Sequence, residues 1–300
     1  MKILTFPHLV LCCLLLCLNF TLPEKANAAN VLTMLDGGGI LIRGLSSYKL
    51  SEGVTFEKDD IVETGNQSSA LLEFEDGTIA AIGPQTKILL LSISSKSVAG
   101  FEVFLLSGQL KIAVDNESRH RISSSSISSI DFKKGVIVFN ETHGVPYVFV
   151  EKGNNVSLVQ TAKKTPYLLT DNSFFVAKPG QKVELATRPS TEFVSGLPRI
   201  FLDNLPSRKE RFKNSKLDLK NPQNFNYNEV EAWLKTVPEI RKIFVRKWKH
   251  KAKEPEFRKA LIDNLHYHPE WDPILYPQKY SKSPHDKRIE SDTFWKQLNY

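Results

Sequence analysis

Leu71-Leu72-Glu73-Phe74-Glu75-Asp76-Gly77-Thr78-Ile79-Ala80-Ala81-Ile82 decides the fold class. Two short β-prone runs flank Asp-Gly, a pair suited to the positive φ of a tight hairpin turn. Outward from it, Ile88-Leu89-Leu90-Leu91-Ser92-Ile93 reads as another strand, and Phe101 to Val114 as a hairpin pivoting at Ser107-Gly108. Val136-Ile137-Val138-Phe139 and Tyr147-Val148-Phe149-Val150 continue the series, and Lys152-Gly153-Asn154-Asn155 turns into Val156-Ser157-Leu158-Val159. A faint echo links Phe104–Leu110 with Phe149–Val156, each an apolar run broken by a glycine turn. Short strands at this spacing, with no helical period between them, predict a mainly β domain over 29–195. Its form is an antiparallel sandwich or roll, jelly-roll-like. The serine-rich stretch Ser123 to Ser129 is expected to be a loop or a weak edge strand.

The pattern changes near Pro198. Residues 196–227, rich in Pro, Asn, Lys and Arg, read as an irregular linker with one helical turn at most. A small helical domain is expected over 228–300. Its first helix opens at Asn228, with Glu231 reaching back to the cap and Val230, Trp233, Leu234 and Val237 at helical spacing. Pro238 starts a second helix with Ile240, Ile243, Phe244 and Trp248 on one face, and a third begins near Pro255 with Phe257, Leu261 and Leu265 inward. The last thirty residues are expected to be mostly irregular.

Upstream, Met1-Lys2 precedes an apolar run from Ile3 to Leu22, which ends in Ala26-Asn27-Ala28. A positive start, an apolar middle and a small-x-small end are the parts of an export signal, so residues 1–28 are expected to be a signal peptide cut after Ala28. Left uncut, the run would anchor the chain in the inner membrane. Cys12, Cys13 and Cys17 all lie in this leader. The remainder has no cysteine for a disulfide, a thiolate nucleophile or a cysteine metal site. An exported chain is a poor candidate for nucleic-acid binding. Residues 29–205 hold 17 basic and 19 acidic side chains, whereas 206–300 hold 21 and 13. Such asymmetry predicts two modules with different surfaces, the basic one suited to an anionic partner.

An ordered series of turns then carries a family resemblance. Leu50-Ser51-Glu52-Gly53 leads into Asp59-Asp60-Ile61-Val62-Glu63-Thr64, then Ser69–Phe74, Asp76-Gly77-Thr78, Ile82-Gly83-Pro84-Gln85-Thr86 and Leu106-Ser107-Gly108-Gln109-Leu110. This resembles the FecR domain family over roughly 40–115, with Gly53, Asp60, Thr64, Asp76, Gly77, Gly83 and Gly108 as its structural positions. Pro179-Gly180-Gln181-Lys182-Val183 looks like the family's closing segment. Ile122 to Val138, by contrast, lacks the family's usual Thr-Pro and Arg-Gly-Thr steps. Residues 198–280 look like a C-terminal extension of some FecR-domain proteins of Gram-negative bacteria, through Asp203–Arg208, Trp233-Leu234 and His268–Pro273. The resemblance implies a periplasmic β-module that senses signals or binds envelope partners. With only Met1-Lys2 before the apolar run, the cytoplasmic sigma-factor contact of the namesake regulators is not expected.

Motifs for chemistry are missing. There is no Gly-x-Ser-x-Gly, His-Glu-x-x-His or Gly-x-Gly-x-x-Gly, so no catalytic residue, cofactor or metal is expected. Asp36-Gly37-Gly38-Gly39 precedes a strand-like run rather than a helix, and reads as a turn. His266-Tyr267-His268 with Glu270 and Asp272 offers metal-ligating types. The plainer reading is a helix end leading into a packed Pro-aromatic segment, with His268 hydrogen-bonded. Arg241, Lys242, Arg246, Lys247 and Lys249 flank the apolar stripe of the second helix as a solvated face, with contact to an anionic partner as the functional alternative. The expected function is an exported periplasmic binding or regulatory module, non-enzymatic, recognising a cell-envelope protein or polymer. The rival is a structural envelope protein held to peptidoglycan or anionic membrane by its basic domain.

Overall fold

The computed structural model describes residues 30–93, 100–202, 204–212, 217 and 219–280. The expected leader, with Ala26 and Ala28, lies outside the described residues. The chain is mainly β, with a small helical region at its C-terminal end. The strands are β1 (Val31–Asp36), β2 (Gly39–Arg43), β3 (Ser46–Lys49), β4 (Ile61–Thr64), β5 (Ser69–Glu73) and β6 (Ile79–Ile82). They continue with β7 (Lys87–Ser92), β8 (Glu102–Val114), β9 (His120–Ser124), β10 (Ile127–Phe132), β11 (Gly135–Thr142) and β12 (Val145–Gly153). The last are β13 (Val156–Gln160), β14 (Tyr167–Leu169), β15 (Ser173–Val176), β16 (Glu184–Ala186) and β17 (Gln223–Asn224).

These strands form two layers. The first sheet runs β1-β5-β6-β8-β11-β12-β15-β16. The second runs β17-β3-β2-β4-β7-β8-β9-β10-β13-β14, antiparallel except for the β8–β9 pair. Strand β8 belongs to both. Its first half pairs with β7 and its second with β6 and β11, so the segment expected to be a hairpin is one strand bent near Gly108. A Ser-Gly pair signals a turn locally, but here the partners on both halves hold the chain extended.

Alternation explains the core. Leu72, Ala80, Ile82, Ile88, Leu90, Val103, Leu105, Ile137 and Phe139 point between the sheets. Their neighbours Leu71, Ile79, Ala81 and Val138 line the outer face of the first sheet, and Ile61, Leu89 and Phe104 that of the second. Both outer faces are covered, which is why runs such as Ile88-Leu89-Leu90 are continuously apolar rather than alternating. The serine-rich stretch is not a loop or edge: β9 and β10 lie inside the second sheet, between β8 and β13. Ile122, Ile127 and Ile130 fill the core; Ser123, Ser128 and Ser129 are more exposed, whereas Ser124 is itself buried.

The cover on the first sheet comes from α1 (Thr191–Ser195), α2 (Arg199–Leu202) and the chain after them, through Phe193, Leu197, Phe201 and Leu205. Much of the expected linker therefore packs against the sandwich. The second sheet is covered by α3 (Tyr227–Leu234), α4 (Pro238–Trp248), α5 (Pro255–Asp263) and α6 (Asp272–Leu275). Trp233, Phe244, Trp248, Phe257, Leu261 and Trp271 are all buried there. Burial of each such side chain is worth about 2–3 kcal/mol.

Helix α3 begins earlier than the expected start at Asn228. Asn226 is its cap, accepting from Glu229 N–H at 3.2 Å, and Glu229 accepts from Asn226 N–H at 2.7 Å. The sequence offers Asn-x-x-Glu in two frames. The frame that prevails places Tyr227, 4% exposed, in the core. Of the last thirty residues, those from 272 to 279 form short helical turns, and those after 280 lie outside the described residues.

Candidate functional site

At one end of the sandwich four connections converge. The β5–β6 turn is tied by Thr78 N–H donating to Asp76 Oδ1 at 2.9 Å. The loop after β8 is tied to it by Asn116 Nδ2, which donates to the Asp76 carbonyl at 3.2 Å. Asn116 Oδ1 in turn accepts from Ser118 N–H at 2.9 Å and lies 3.0 Å from His120 Nε2. The β10–β11 and β12–β13 turns meet where Gly135 opposes Gly153. A Cβ on Gly135 would lie 2.5 Å from the Lys152 carbonyl oxygen, so only glycine lets these turns close. Gly153 N–H donates to Asp171 Oδ1 at 2.6 Å.

These turns enclose a cleft of about 970 Å³. Its buried lining is apolar, with Ile79, Val114 and Phe132, and Ala113, Val136 and Leu205 are half-buried beside them. Its rim is charged. Lys134 pairs with Asp115. Asp131 accepts from Arg119 Nη2 at 3.0 Å and Arg121 Nε at 2.8 Å. Burial pushes the Asp131 carboxyl up, but bonds from Arg121, Ser129 and Arg119 outweigh it and hold its pKa below the ordinary range. Lys133 and Lys152, both exposed, have no ion-pair partner among the described residues.

The wall at Leu205 is fixed by buried polar locks. Glu73, 2% exposed, accepts from Thr33 Oγ1 at 2.6 Å, Ser207 Oγ at 2.5 Å and Arg208 N–H at 2.7 Å. Lys111, 4% exposed, donates to the Phe201 carbonyl at 2.6 Å and pairs with Glu151 at 3.0 Å. Sequence reading missed these residues. Lys152-Gly153 reads as a turn in the sequence, but nothing local shows that it meets Lys133-Lys134-Gly135, far from it in the chain.

The positions singled out by the sequence resemblance act as latches. Asp60, 1% exposed, receives Arg43 Nε at 2.9 Å and Nη2 at 2.5 Å, and Glu57 N–H at 2.8 Å. Thr64 Oγ1 donates to the Gly83 carbonyl at 2.6 Å and accepts from Thr86 N–H at 3.0 Å. Gly53 N–H donates to the Leu32 carbonyl at 2.7 Å. Asp76 and Gly77 form the β5–β6 turn on the cleft. Gly108 lies at the bend of β8, against Thr86.

The basic series divides. Arg241 is bound to Glu270, Nη2 to Oε1 at 2.6 Å and Nε to Oε2 at 2.9 Å, and donates to the Thr236 carbonyl at 3.0 Å. Lys247 pairs with Asp59 at 3.4 Å. Lys242, Arg246 and Lys249 are exposed, with no acidic partner within ion-pair distance among the described residues. No group of metal-ligating side chains with metal geometry occurs among the described residues. His268 is buried, its Nε2 3.0 Å from the Tyr227 hydroxyl. Asp36 to Gly39 is the β1–β2 turn, as its sequence indicates. No helix among the described residues is long and apolar enough to cross a membrane.

No protein-family model matches the chain. No curated protein matches it either. Two crystal structures of a candidate anti-sigma factor from Parabacteroides distasonis ATCC 8503 are similar to it, at 9% sequence identity and TM-scores of 0.39 and 0.38. Each likeness covers 45% of this chain and 62% or 63% of the other, so the chain spans less than two thirds of the length of these neighbours.

Proposed function

We propose that this chain is an exported, periplasmic binding or regulatory module of the FecR-like class. It recognises a partner in the cell envelope and has no catalytic chemistry of its own. One observation carries the reading. Both outer faces of the sandwich are occupied by the chain's own helices, whereas the turns at one end remain open around a cleft with two lysines that have no ion-pair partner among the described residues. Recognition in such a scaffold concentrates on the loops that a rigid sheet positions. Installing a photoreactive residue at Asn154 and crosslinking in living cells tests this. The expected result is an envelope protein or polymer recovered in a manner that depends on position 154. Recovery of no envelope component, or native protein in the cytosol with its leader intact, overturns it.

Exposed Lys242, Arg246 and Lys249 favour a second reading, association with peptidoglycan or anionic membrane through the helical region. Co-sedimentation with purified sacculi or anionic vesicles at two salt levels separates it, because such contacts weaken with ionic strength.

A further inference from the structure

The cleft has the chemistry of two different solvents. Its inner lining is hydrocarbon, whereas its rim supplies ammonium groups and the exposed amides of Asn154 and Asn155. The rim charges are not equivalent. Asp115 is neutralised by Lys134, and Asp131 by Arg119 and Arg121. Glu117 lies close enough to Lys134 to help raise its pKa, after the larger contribution of Asp115. Lys133 and Lys152 have no ion-pair partner among the described residues, and the group that would complete them is an anion.

The walls argue against an added β-strand as the occupant. β11 is already paired on both sides, by β8 and β12, and β6 by β5 and β8, while β12 is held by β11 and β15. None of these strands offers a free ladder edge to the cleft. A cleft of about 970 Å³ is at the upper end of the range for small-ligand sites, which are mostly apolar with a few placed polar groups.

We infer that this cleft binds an anionic amphiphile, with its carboxylate or phosphate head between Lys133 and Lys152 and its apolar body against Val114, Phe132, Val136 and Leu205. The inference rests on the recognition reading above and names the ligand class for that same site. The site is built in advance. The Gly135–Gly153 contact fixes the spacing of the two lysine-bearing turns, and the Glu73 bonds to Ser207 and Arg208 hold the wall that carries Leu205. A free organic acid and a phospholipid share this chemistry and differ in the head.

Isothermal titration of the purified protein with decanoate, decyl phosphate, decyl maltoside and decyltrimethylammonium, each below micellar concentration, tests it. Saturable binding of one or both anionic probes is expected, with the neutral and cationic probes weaker by about tenfold or more. Preference for decyl phosphate marks a phospholipid-type head, and preference for decanoate a free acid. Acetate and inorganic phosphate, which lack the apolar body, should give no saturable heat. Added salt should weaken the anionic probes. The double variant Lys133→Gln/Lys152→Gln should lose about tenfold in affinity with an unchanged melting temperature, since both side chains are exposed. Equal affinity for all four decyl probes, no binding of either anion, or an unaffected double variant overturns the inference. If the anions fail while an envelope component still crosslinks from position 154, the ligand class falls and the recognition reading stands. If neither occurs, both fall.

Discussion

The indole N–H of Trp233 donates to Glu63 Oε1 at 2.7 Å, joining helix α3 to strand β4 across 170 residues of sequence. Both groups are buried, and Glu63 also receives Lys87 Nζ at 2.8 Å. The bond makes the helical region part of the same packed structure as the second sheet. Trp233→Phe keeps most of the apolar contact and removes the donor. It should lower the unfolding free energy by about 1–3 kcal/mol, the range for a buried bond to a charged acceptor. Trp233→Ala should cost more, about 3–5 kcal/mol, because a cavity is added. Urea denaturation followed by circular dichroism distinguishes them, and equal midpoints for wild type and Trp233→Phe would refute the linkage.

The sandwich was legible because its signals are local: Asp76-Gly77 between two apolar runs, and strands whose alternate side chains fill one core. What stayed hidden depends on partners distant in the chain. Gly108 looks like a turn until β6, β7 and β11 are known to pair along both sides of it. Ser123 to Ser129 looks polar, yet Ser124 and Ser126 donate to Glu141 at 2.8 and 2.7 Å, which accounts for a serine-rich hairpin inside a sheet. Arg241 looks like surface until Glu270 is placed beside it. The cleft was illegible for the same reason, being made of four turns that only the fold assembles.

His268 sets a pH dependence. It is fully buried, and its Nε2 faces a Tyr227 hydroxyl whose own pKa is pushed up to about 12, chiefly by burial. Burial lowers the His268 pKa from its ordinary 6.5. Arg241 and Lys235 act in the same direction, against its own backbone bond and Glu270. The folded state therefore binds fewer protons than the unfolded chain. Stability is full above pH 6.5 and should fall as pH drops from there toward the depressed folded value. Burial lowers the pKa of His120 too, so it adds to the same slope. Glu141, which burial raises, contributes with opposite sign at lower pH. Denaturation midpoints between pH 8 and 5 for wild type and His268→Gln isolate the histidine. The variant should show a shallower loss, and parallel curves would contradict the assignment.

Gly108 and Gly44 offer a matched pair. Both have positive φ, 99° and 61°. A Cβ on Gly44 meets nothing within 4 Å, whereas on Gly108 it would fall 2.4 Å from Thr86 Oγ1 and 2.5 Å from Thr86 Cα. Gly44→Ala should cost about 1 kcal/mol, from backbone strain alone. Gly108→Ala adds a collision with backbone at the strand shared by both sheets, and should cost at least about 2 kcal/mol more. Thermal unfolding that ranks the two variants equally would mean that the bend in β8 does not depend on the close approach to Thr86.

The basic run on α4 makes its own discriminating test, because its members differ in what they hold. Arg241 and Glu270 form a two-bond pair with side chains only 14% and 16% exposed. Arg241→Gln leaves a shielded carboxylate without its cation and should cost about 2 kcal/mol, less than a fully buried pair and more than a surface one. That corresponds to a fall of about 3–4 °C in Tm for a chain of this size. Lys242, Arg246 and Lys249 make no ion pair among the described residues, so replacing all three with Gln should change stability by no more than about 0.5 kcal/mol per site. Co-sedimentation with anionic vesicles at low salt should respond in the opposite order. The triple variant loses whatever binding the helical region provides, while Arg241→Gln, measured well below its Tm, retains it. Loss of vesicle binding in Arg241→Gln with no change in Tm would move Arg241 from the interior scaffold to the contact surface.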